Sequence, residues 1–193
     1  MVDNDLAASS IAVSRSAIMM SSAGIPGFLT SLREALLELT DHFAGLSAVE
    51  SHTHLNSGKA DVQNTIEFVT ALLEHGARAA PQASGTILGL AGPGLPMTAA
   101  LKLTLPVVLG GGSITLVPDP DAPSCALALA ELCGQCGLPD GLFNVIYIDE
   151  VVARQLIDDN PDVSLRLFGP QAWAQRWQAM AMARDRSCEL VLA

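Results

Sequence analysis

The sequence predicts an α/β protein: a doubly wound parallel sheet of about five strands, preceded by a pair of helices. After residue 85, short apolar runs rich in β-branched residues alternate with helix-length segments, a pattern typical of parallel strands joined by right-handed crossovers. Between residues 28 and 78, apolar residues recur at spacings of three and four, which indicates amphipathic helices. Half of the 193 residues are hydrophobic and 16% are charged, which excludes a disordered chain and suits one core.

The N-terminal third divides into an arm and a helical pair. Residues 1–25 are rich in Ser and Ala, and we expect a flexible or loosely docked arm there, followed by a single domain over 26–193. One long helix is expected from Phe28 to about Val49, a turn around Asn56–Gly58, and a second helix from about Ala60 to Arg78. The apolar stripe of the first helix consists of Leu29, Leu32, Leu36, Leu39, Phe43 and Leu46.

The sheet is expected within residues 85–193, after a linker, ARAAPQAS, at 77–84. The expected strands are Thr86–Ala91, Ser113–Pro118, Leu142–Ile148, Ser164–Gly169 and Cys188–Leu192. The helices between them are expected at Met97–Leu109, Ala122–Cys136, Glu150–Asp158 and Ala172–Arg184.

Composition restricts partners and location. The formal charge of −10 argues against nucleic acid and against anionic membrane surfaces as partners. The most apolar stretch, Leu103 to Leu116, is interrupted by Pro106 and by Gly110–Gly112, so no transmembrane segment is expected. Asp3 and Asp5 stand where a signal peptide has basic residues. A cytoplasmic location is therefore expected, with the four cysteines as reduced thiols.

The run from Gly85 to Ile146, and above all LPDGLFNV at 138–145, resembles the cofactor-binding domain of NAD(P)-dependent aldehyde dehydrogenases. SGK at 57–59, NPDVSLRLFG at 160–169 and CEL at 188–190 extend the resemblance from about Leu29 to Leu190. The resemblance implies a Rossmann-like nucleotide-binding fold, NAD(P) as cofactor and oxidoreductase chemistry on aldehydes.

Several positions to which the resemblance assigns chemistry carry other residues. Gly94 stands where the family has an Asn that helps to stabilise the oxyanion. Val117 stands where a Lys holds the adenosine ribose, and Asp119, two residues later, would repel a phosphate. The turn Tyr147–Glu150, after the third strand, lacks the family's glycine and adds two carboxylates.

The glycine turn after the fourth strand is altered as well. Gly169 is kept, but Pro170 follows it and removes a backbone donor. The family's second glycine falls on Ala174 or Gln175. We therefore expect no bound cofactor, with NAD as the alternative, and only Pro118 and Gly169 remain as candidate cofactor-binding positions.

The resemblance also assigns the catalytic groups. The nucleophilic Cys of the family would lie beyond the end of this chain. Glu189 matches the family's general base, which has nothing to deacylate without an acyl-enzyme. The linker at 77–84 stands where the family inserts the arm that builds its oligomer interface. We therefore expect no catalytic residue, Glu189 being at most a vestige.

Other motifs have a structural and a functional interpretation. Cys133 and Cys136 form a C-x-x-C that suits core packing better than redox or metal chemistry. The histidines, at 42, 52, 54 and 75, suit a solvated surface better than a zinc site, so no metal is expected. Gly110–Gly112 precedes a strand and is expected to be a structural turn. Trp173 and Trp177, four residues apart, would either anchor a partner or pack on the sheet.

These observations favour a non-catalytic, aldehyde dehydrogenase-like domain that acts as an interaction or structural subunit, with a larger enzyme as its expected protein partner. The alternative is the NAD-binding half of a split aldehyde dehydrogenase. A third hypothesis, a redox or metal protein that uses Cys133 and Cys136, ranks last.

Overall fold

The computed structural model describes residues 9–14, 24–75 and 86–191 and confirms the α/β fold. Five parallel strands form one sheet in the order β3-β2-β1-β4-β5. Leu88 at the centre of β1 lies beside Thr115 of β2 on one side and Leu165 of β4 on the other. The strands are β1 (Thr86–Ala91), β2 (Ser113–Val117), β3 (Phe143–Val145), β4 (Ser164–Phe168) and β5 (Cys188–Leu190).

The strand order defines a switch point. The chain moves outward from β1 through β2 to β3, then crosses to the other side of β1 and continues with β4 and β5. The winding reverses between β1 and β4, and open parallel sheets bind ligands in the crevice at the carboxyl ends of such strands.

Helices cover both faces of the sheet. Residues 9–14 are helical and are called α1. The others are α2 (Ile25–Glu38), α3 (Thr40–Glu50), α4 (Leu55–His75), α5 (Pro96–Leu109), α6 (Pro123–Gln135), α7 (Glu150–Asp159) and α8 (Gln171–Met182). In the described ranges, no helix has both the length and the apolar character that crossing a bilayer requires.

Each face has its own apolar core. Leu36 of α2, Val62 of α4, Leu101 of α5 and Ile114 of β2 belong to the first core. Helix α5 is buried along nearly all of its length because it lies between the sheet and the N-terminal helices. The second core lies on the opposite face, where Leu88 and Leu90 meet side chains of α1, α7 and α8.

The expected long helix from Phe28 to Val49 is wrong in one respect: two helices, α2 and α3, share this segment. Leu39 leaves helical geometry, and the hydroxyl of Thr40 donates to the carbonyl oxygens of Leu36 (3.0 Å) and Leu37 (2.9 Å). Such back-bonding bends helices. The segment expected to form a helical pair therefore contains three described helices, α2, α3 and α4. Because the break between α2 and α3 is one residue long, the apolar period runs through it.

The expected turn at Asn56–Gly58 is also misplaced. These residues form the first turn of α4, and the connection lies at residues 51–54. Polar residues and glycine are common both in turns and in exposed helix starts, so composition did not separate the two. The third strand is likewise shorter than Leu142–Ile148, although Leu142, Ile146 and Ile148 are buried.

Residues 9–14 fall within the expected arm. In the structure Ile11 is 1% exposed and belongs to the second core. The hydroxyl of Ser14 lies 3.0 Å from Thr115 Oγ1 and accepts from Asn144 Nδ2 at 2.7 Å. This part of the segment is thus bonded to β2 and β3, whereas the linker at 77–84 and the rest of the arm up to residue 23 lie outside the described residues.

Candidate functional site

A crevice opens at the carboxyl ends of β1 and β2, between the starts of α7 and α8, next to the switch point. It encloses about 70 Å³ open to water, which holds a few water molecules and is far below the roughly 300–1,000 Å³ of ligand pockets. Its lining is Leu90, Ala91, Val117, Pro118, Asp119, Pro120, Ile148, Asp149, Glu150, Ala153, Trp173 and Trp177.

Three carboxylates line the crevice. Asp119 follows β2, and partial burial raises the pKa of its carboxyl, against a backbone hydrogen bond from Asp121 that lowers it. Asp149 caps α7 by accepting from Val152 N at 2.8 Å. Glu150 pairs with Arg154 across one helical turn, and the guanidinium of Arg154 lies 5.5 Å from the ring centre of Trp177. Among the described residues that line the crevice, none is Lys or Arg.

Trp173 covers the switch point itself. A Cβ placed on Gly92, directly after β1, would lie 2.6 Å from Trp173 Cδ2, and one placed on Gly169, directly after β4, would lie 2.9 Å from Trp173 Cε3. Gly92 is joined to the end of β4, since Gly92 N donates to Phe168 O at 2.7 Å. Trp177 packs behind, with the ring centres 6.1 Å apart.

The residues present do not fit a dinucleotide. A pyrophosphate placed in this crevice would meet the carboxylates of Asp119, Asp149 and Glu150, and like charges repel. The first turn of α7 already has a carboxylate cap in Asp149, and the indole of Trp173 occupies the space over the glycines at the switch point.

The two candidate cofactor positions are both near the crevice. Pro118 lines it, and Gly169 lies beneath Trp173. Ala174, one of the two alternatives for the family's second glycine, is buried and its N–H donates to Pro170 O at 2.9 Å. Val117 is buried in the second core, where it offers a ligand no polar group.

Glu189 lies on the edge strand β5, away from this crevice's lining, and contacts Arg166 of β4. Arg166 Nη2 donates to Glu189 Oε1 at 3.2 Å. The arginine is 4% exposed, and burial lowers the pKa of its guanidinium while Glu189 opposes that shift. The geometry gives Glu189 a structural partner, a buried cation that needs a counter-charge.

Two buried carboxylates that the sequence reasoning missed cap the helices of the first face. Asp61 of α4 caps α5, and Glu50 of α3 accepts from the backbone N–H groups of Ser124 and Cys125 at the start of α6. The sequence held one signal for Asp61, a carboxylate directly beside the apolar stripe of its helix that begins at Val62; the structure shows this side chain to be 1% exposed.

The remaining motifs lie outside the crevice. Burial raises the pKa of the Cys133 and Cys136 thiols, which keeps them protonated. All four histidines are exposed. In the part of the chain that the structure describes, no three His, Cys, Asp or Glu side chains are grouped as metal ligands. Gly110–Gly112 joins α5 to β2, with Gly111 at φ 87°, as a structural turn.

Comparison with known proteins identifies the class to which this fold belongs. The model of the aldehyde dehydrogenase family matches residues 20–171, and the chain therefore belongs to that family. The solved succinate-semialdehyde dehydrogenase from Burkholderia pseudomallei superposes with a TM-score of 0.86 at 18% identity, over 98% of this chain and 44% of that one. The NAD-dependent aldehyde dehydrogenase from Sinorhizobium meliloti superposes with a TM-score of 0.82 at 19% identity, over 100% of this chain and 43% of that one.

Sequence relatives are similar over a shorter stretch. A Mycobacterium tuberculosis protein described as a succinate-semialdehyde dehydrogenase with NADP(+) is 35% identical over 91 residues, which is 47% of this chain and 17% of that protein. The betaine aldehyde dehydrogenase of Vibrio vulnificus is 32% identical over 80 residues, 42% of this chain and 16% of that one. The chain thus spans less than half of the solved structures on which it superposes, and the structural likeness establishes the fold.

Proposed function

We propose that this aldehyde dehydrogenase-family domain is non-catalytic and acts as an interaction or structural subunit, with a larger enzyme as its partner. One observation carries the proposal: the switch-point crevice is lined by three carboxylates and, within the described residues, by no basic side chain. A domain that holds NAD(P) needs neutral or positive groups where the pyrophosphate lies. We expect no cofactor there.

The expectation of a protein partner rests on apolar side chains exposed at the surface. Large apolar side chains remain exposed on several helices: Val49 at the end of α3 is 72% exposed, Met182 at the end of α8 is 70%, and Val151 on α7 is 64%. The formal charge of −10 argues against nucleic acid and anionic membranes as alternatives. The proposed compartment is the cytosol.

A second candidate function is the NAD-binding half of a split aldehyde dehydrogenase. Family membership over residues 20–171 favours it, because relatives of this family carry names that specify NAD or NADP(+). In this alternative, Pro118 and Gly169 contact the cofactor, and a second chain supplies the nucleophile.

A titration with NAD⁺, NADH and NADP⁺ distinguishes the non-catalytic subunit from the NAD-binding half of a split enzyme. A ligand that binds only the folded state raises the melting temperature. We expect no rise for the full chain at about 1 mM of any of the three, a concentration that exceeds a micromolar Kd about a thousandfold. A concentration-dependent rise with any of them contradicts the non-catalytic proposal and supports the split enzyme.

The partner is tested separately, by purifying the chain at its native level from the cells that produce it. We expect a stoichiometric complex with an enzyme subunit, stable enough for its mass to be measured by light scattering after reconstitution. A chain that remains a monomer and retains no such subunit contradicts the interaction role.

A further inference from the structure

The switch point beside the crevice is covered from within the chain. The six-membered ring of Trp173 lies against both glycines that end the strands at the switch: Cβ atoms built on Gly92 or Gly169 would come within 3.0 Å of it. These glycines approach each other so closely that a Cβ on Gly169 would also lie 3.0 Å from Gly92 Cα. The indole of Trp173 therefore packs directly against the backbone of Gly92 and Gly169.

The local sequence directs the indole to this place. Pro170 precedes α8 as its N-cap with φ −56°, so the entry of the helix is rigid. Trp173 is the third residue of the helix, and helical side chains point back toward the N-terminus. At the start of α8 that direction leads over the ends of β1 and β4. The position of Trp173 in α8 therefore directs its ring toward Gly92 and Gly169.

We propose that Trp173 is a built-in occupant of part of the switch-point crevice, in the place where open parallel sheets hold a ligand, and that the space its ring takes up fits a flat, uncharged aromatic molecule of indole size once the ring is removed. The inference rests on the proposed function in one respect: the carboxylates of Asp119, Asp149 and Glu150 exclude phosphate-bearing ligands from the same space. Shape and contact with the ring of Trp177 favour an aromatic ring, and the negative charge of the three carboxylates disfavours nucleotides.

The position of the indole is tested by fluorescence in a Trp177→Phe background, where Trp173 is the single tryptophan because the chain has two. We expect a blue-shifted emission that acrylamide quenches weakly. Adding Gly169→Ala places a methyl group against the indole and displaces it from the glycine backbone. The emission is therefore expected to shift to longer wavelength and quenching to increase. Gly134→Ala is the matched control, since a Cβ there meets nothing within 4 Å. Emission that Gly169→Ala leaves unchanged overturns the proposal.

The site is tested by chemical rescue of Trp173→Ala. Apolar cavities left by large-to-small changes stay open and take up aromatic molecules. We expect free indole to raise the melting temperature of the variant with its concentration and to leave the natural chain unchanged. Adenosine 5′-monophosphate, tested in parallel, is expected to have no effect on either chain.

The outcomes separate this inference from the proposed function. No rescue by indole in a folded Trp173→Ala chain overturns the built-in occupant and leaves the non-catalytic role standing. Stabilisation of the natural chain by NAD⁺ contradicts the non-catalytic role. Stabilisation of Trp173→Ala alone by the monophosphate supports Trp173 as the occupant and shows that the carboxylates do not exclude phosphate. If the alanine variant does not fold, the fluorescence comparison decides.

Discussion

The carboxylate of Asp61 accepts a hydrogen bond from the backbone N–H of Thr98 at 3.0 Å, and the Thr98 hydroxyl donates to the Asp61 carbonyl oxygen at 3.2 Å. The other carboxylate oxygen accepts from Met97 N and from Ser47 Oγ. A buried side chain on α4 thus satisfies the first turn of α5, whose N–H groups have no partner within their own helix. The N-terminal helices and the sheet layer are joined at this point.

Replacing Asp61 by Ala is expected to lower the free energy of unfolding by about 2–4 kcal/mol, because two buried N–H groups and one hydroxyl lose their acceptor. Urea unfolding followed by circular dichroism measures this change in the free energy of unfolding. Asp41→Ala is the control: this side chain is 91% exposed and pairs with Lys59 on the surface, so we expect a loss of less than about 1 kcal/mol. Equal losses for the two variants would contradict the capping role.

Glu50 caps the start of α6, as Asp61 caps the start of α5. Glu50→Ala removes the acceptor for Ser124 N and Cys125 N, the latter at 2.8 Å, and we expect a loss of about 2 kcal/mol. Hydrogen exchange gives the sharper measurement, since these two amides should lose protection while those of α5 keep it. Glu34→Ala, on the exposed face of α2, is expected to leave the stability of the chain and the protection of these two amides unchanged. Unaltered protection at Ser124 and Cys125 would rule out the cap.

Asp119 gives a pH dependence whose sign follows from its environment. Burial raises the pKa of this carboxyl above 3.8, so ionisation in the folded state costs stability at pH values above the folded pKa. The cost disappears as the pH falls through the folded pKa to below the unfolded value. Asp119→Asn, which keeps an oxygen for Asp121 N, should therefore raise the melting temperature by about 1–2 °C at pH 7 and leave it unchanged near pH 3.5.

The control for this measurement is Asp140→Asn, at an exposed position, which should show no difference between the two pH values. A melting temperature that Asp119→Asn lowers at pH 7 would mean that the ionised carboxylate is stabilised in the fold, contrary to its burial.

Glu189 is expected to act on stability through Arg166. Glu189→Ala leaves a buried guanidinium without its counter-charge and should cost about 1–3 kcal/mol, whereas Glu189→Gln keeps an acceptor oxygen and should cost less. A double-mutant cycle with Arg166→Met isolates the pair, because Glu189→Ala should cost little once the cation is gone. Independent, additive losses would show that the two side chains do not interact.

Much of the sheet was predictable because its signals are local. The strand at Thr86–Ala91 was placed to the residue, and the helices after it were placed within one or two residues, since an apolar run followed by a helical period specifies a parallel crossover. The N-terminal helices were less accurate. The bend at Leu39 is caused by the hydroxyl of Thr40 bonding back to the preceding turn, and apolar spacing carries no information about it.

The crevice was predictable in part. Asp119, Asp149 and Glu150 follow strand ends in the sequence, so their place at the carboxyl edge of the sheet and their effect on phosphate follow from topology alone. The helix starts that Asp61 and Glu50 cap were not predictable, because the capped N–H groups lie 36 to 75 residues away along the chain. Only packing brings a helix start to a particular carboxylate.

The sequence by itself therefore determined the layered α/β architecture, the resemblance to aldehyde dehydrogenases and the acidic character of the switch-point edge, since period, composition and strand-end residues are properties of neighbouring positions. Tertiary structure decided what each tryptophan packs against. Trp177 is buried in the second core, while Trp173 lies across Gly92 and Gly169. These glycines are 77 positions apart in the sequence, and only the pairing of β1 with β4 brings them together as the backbone surface against which the indole packs.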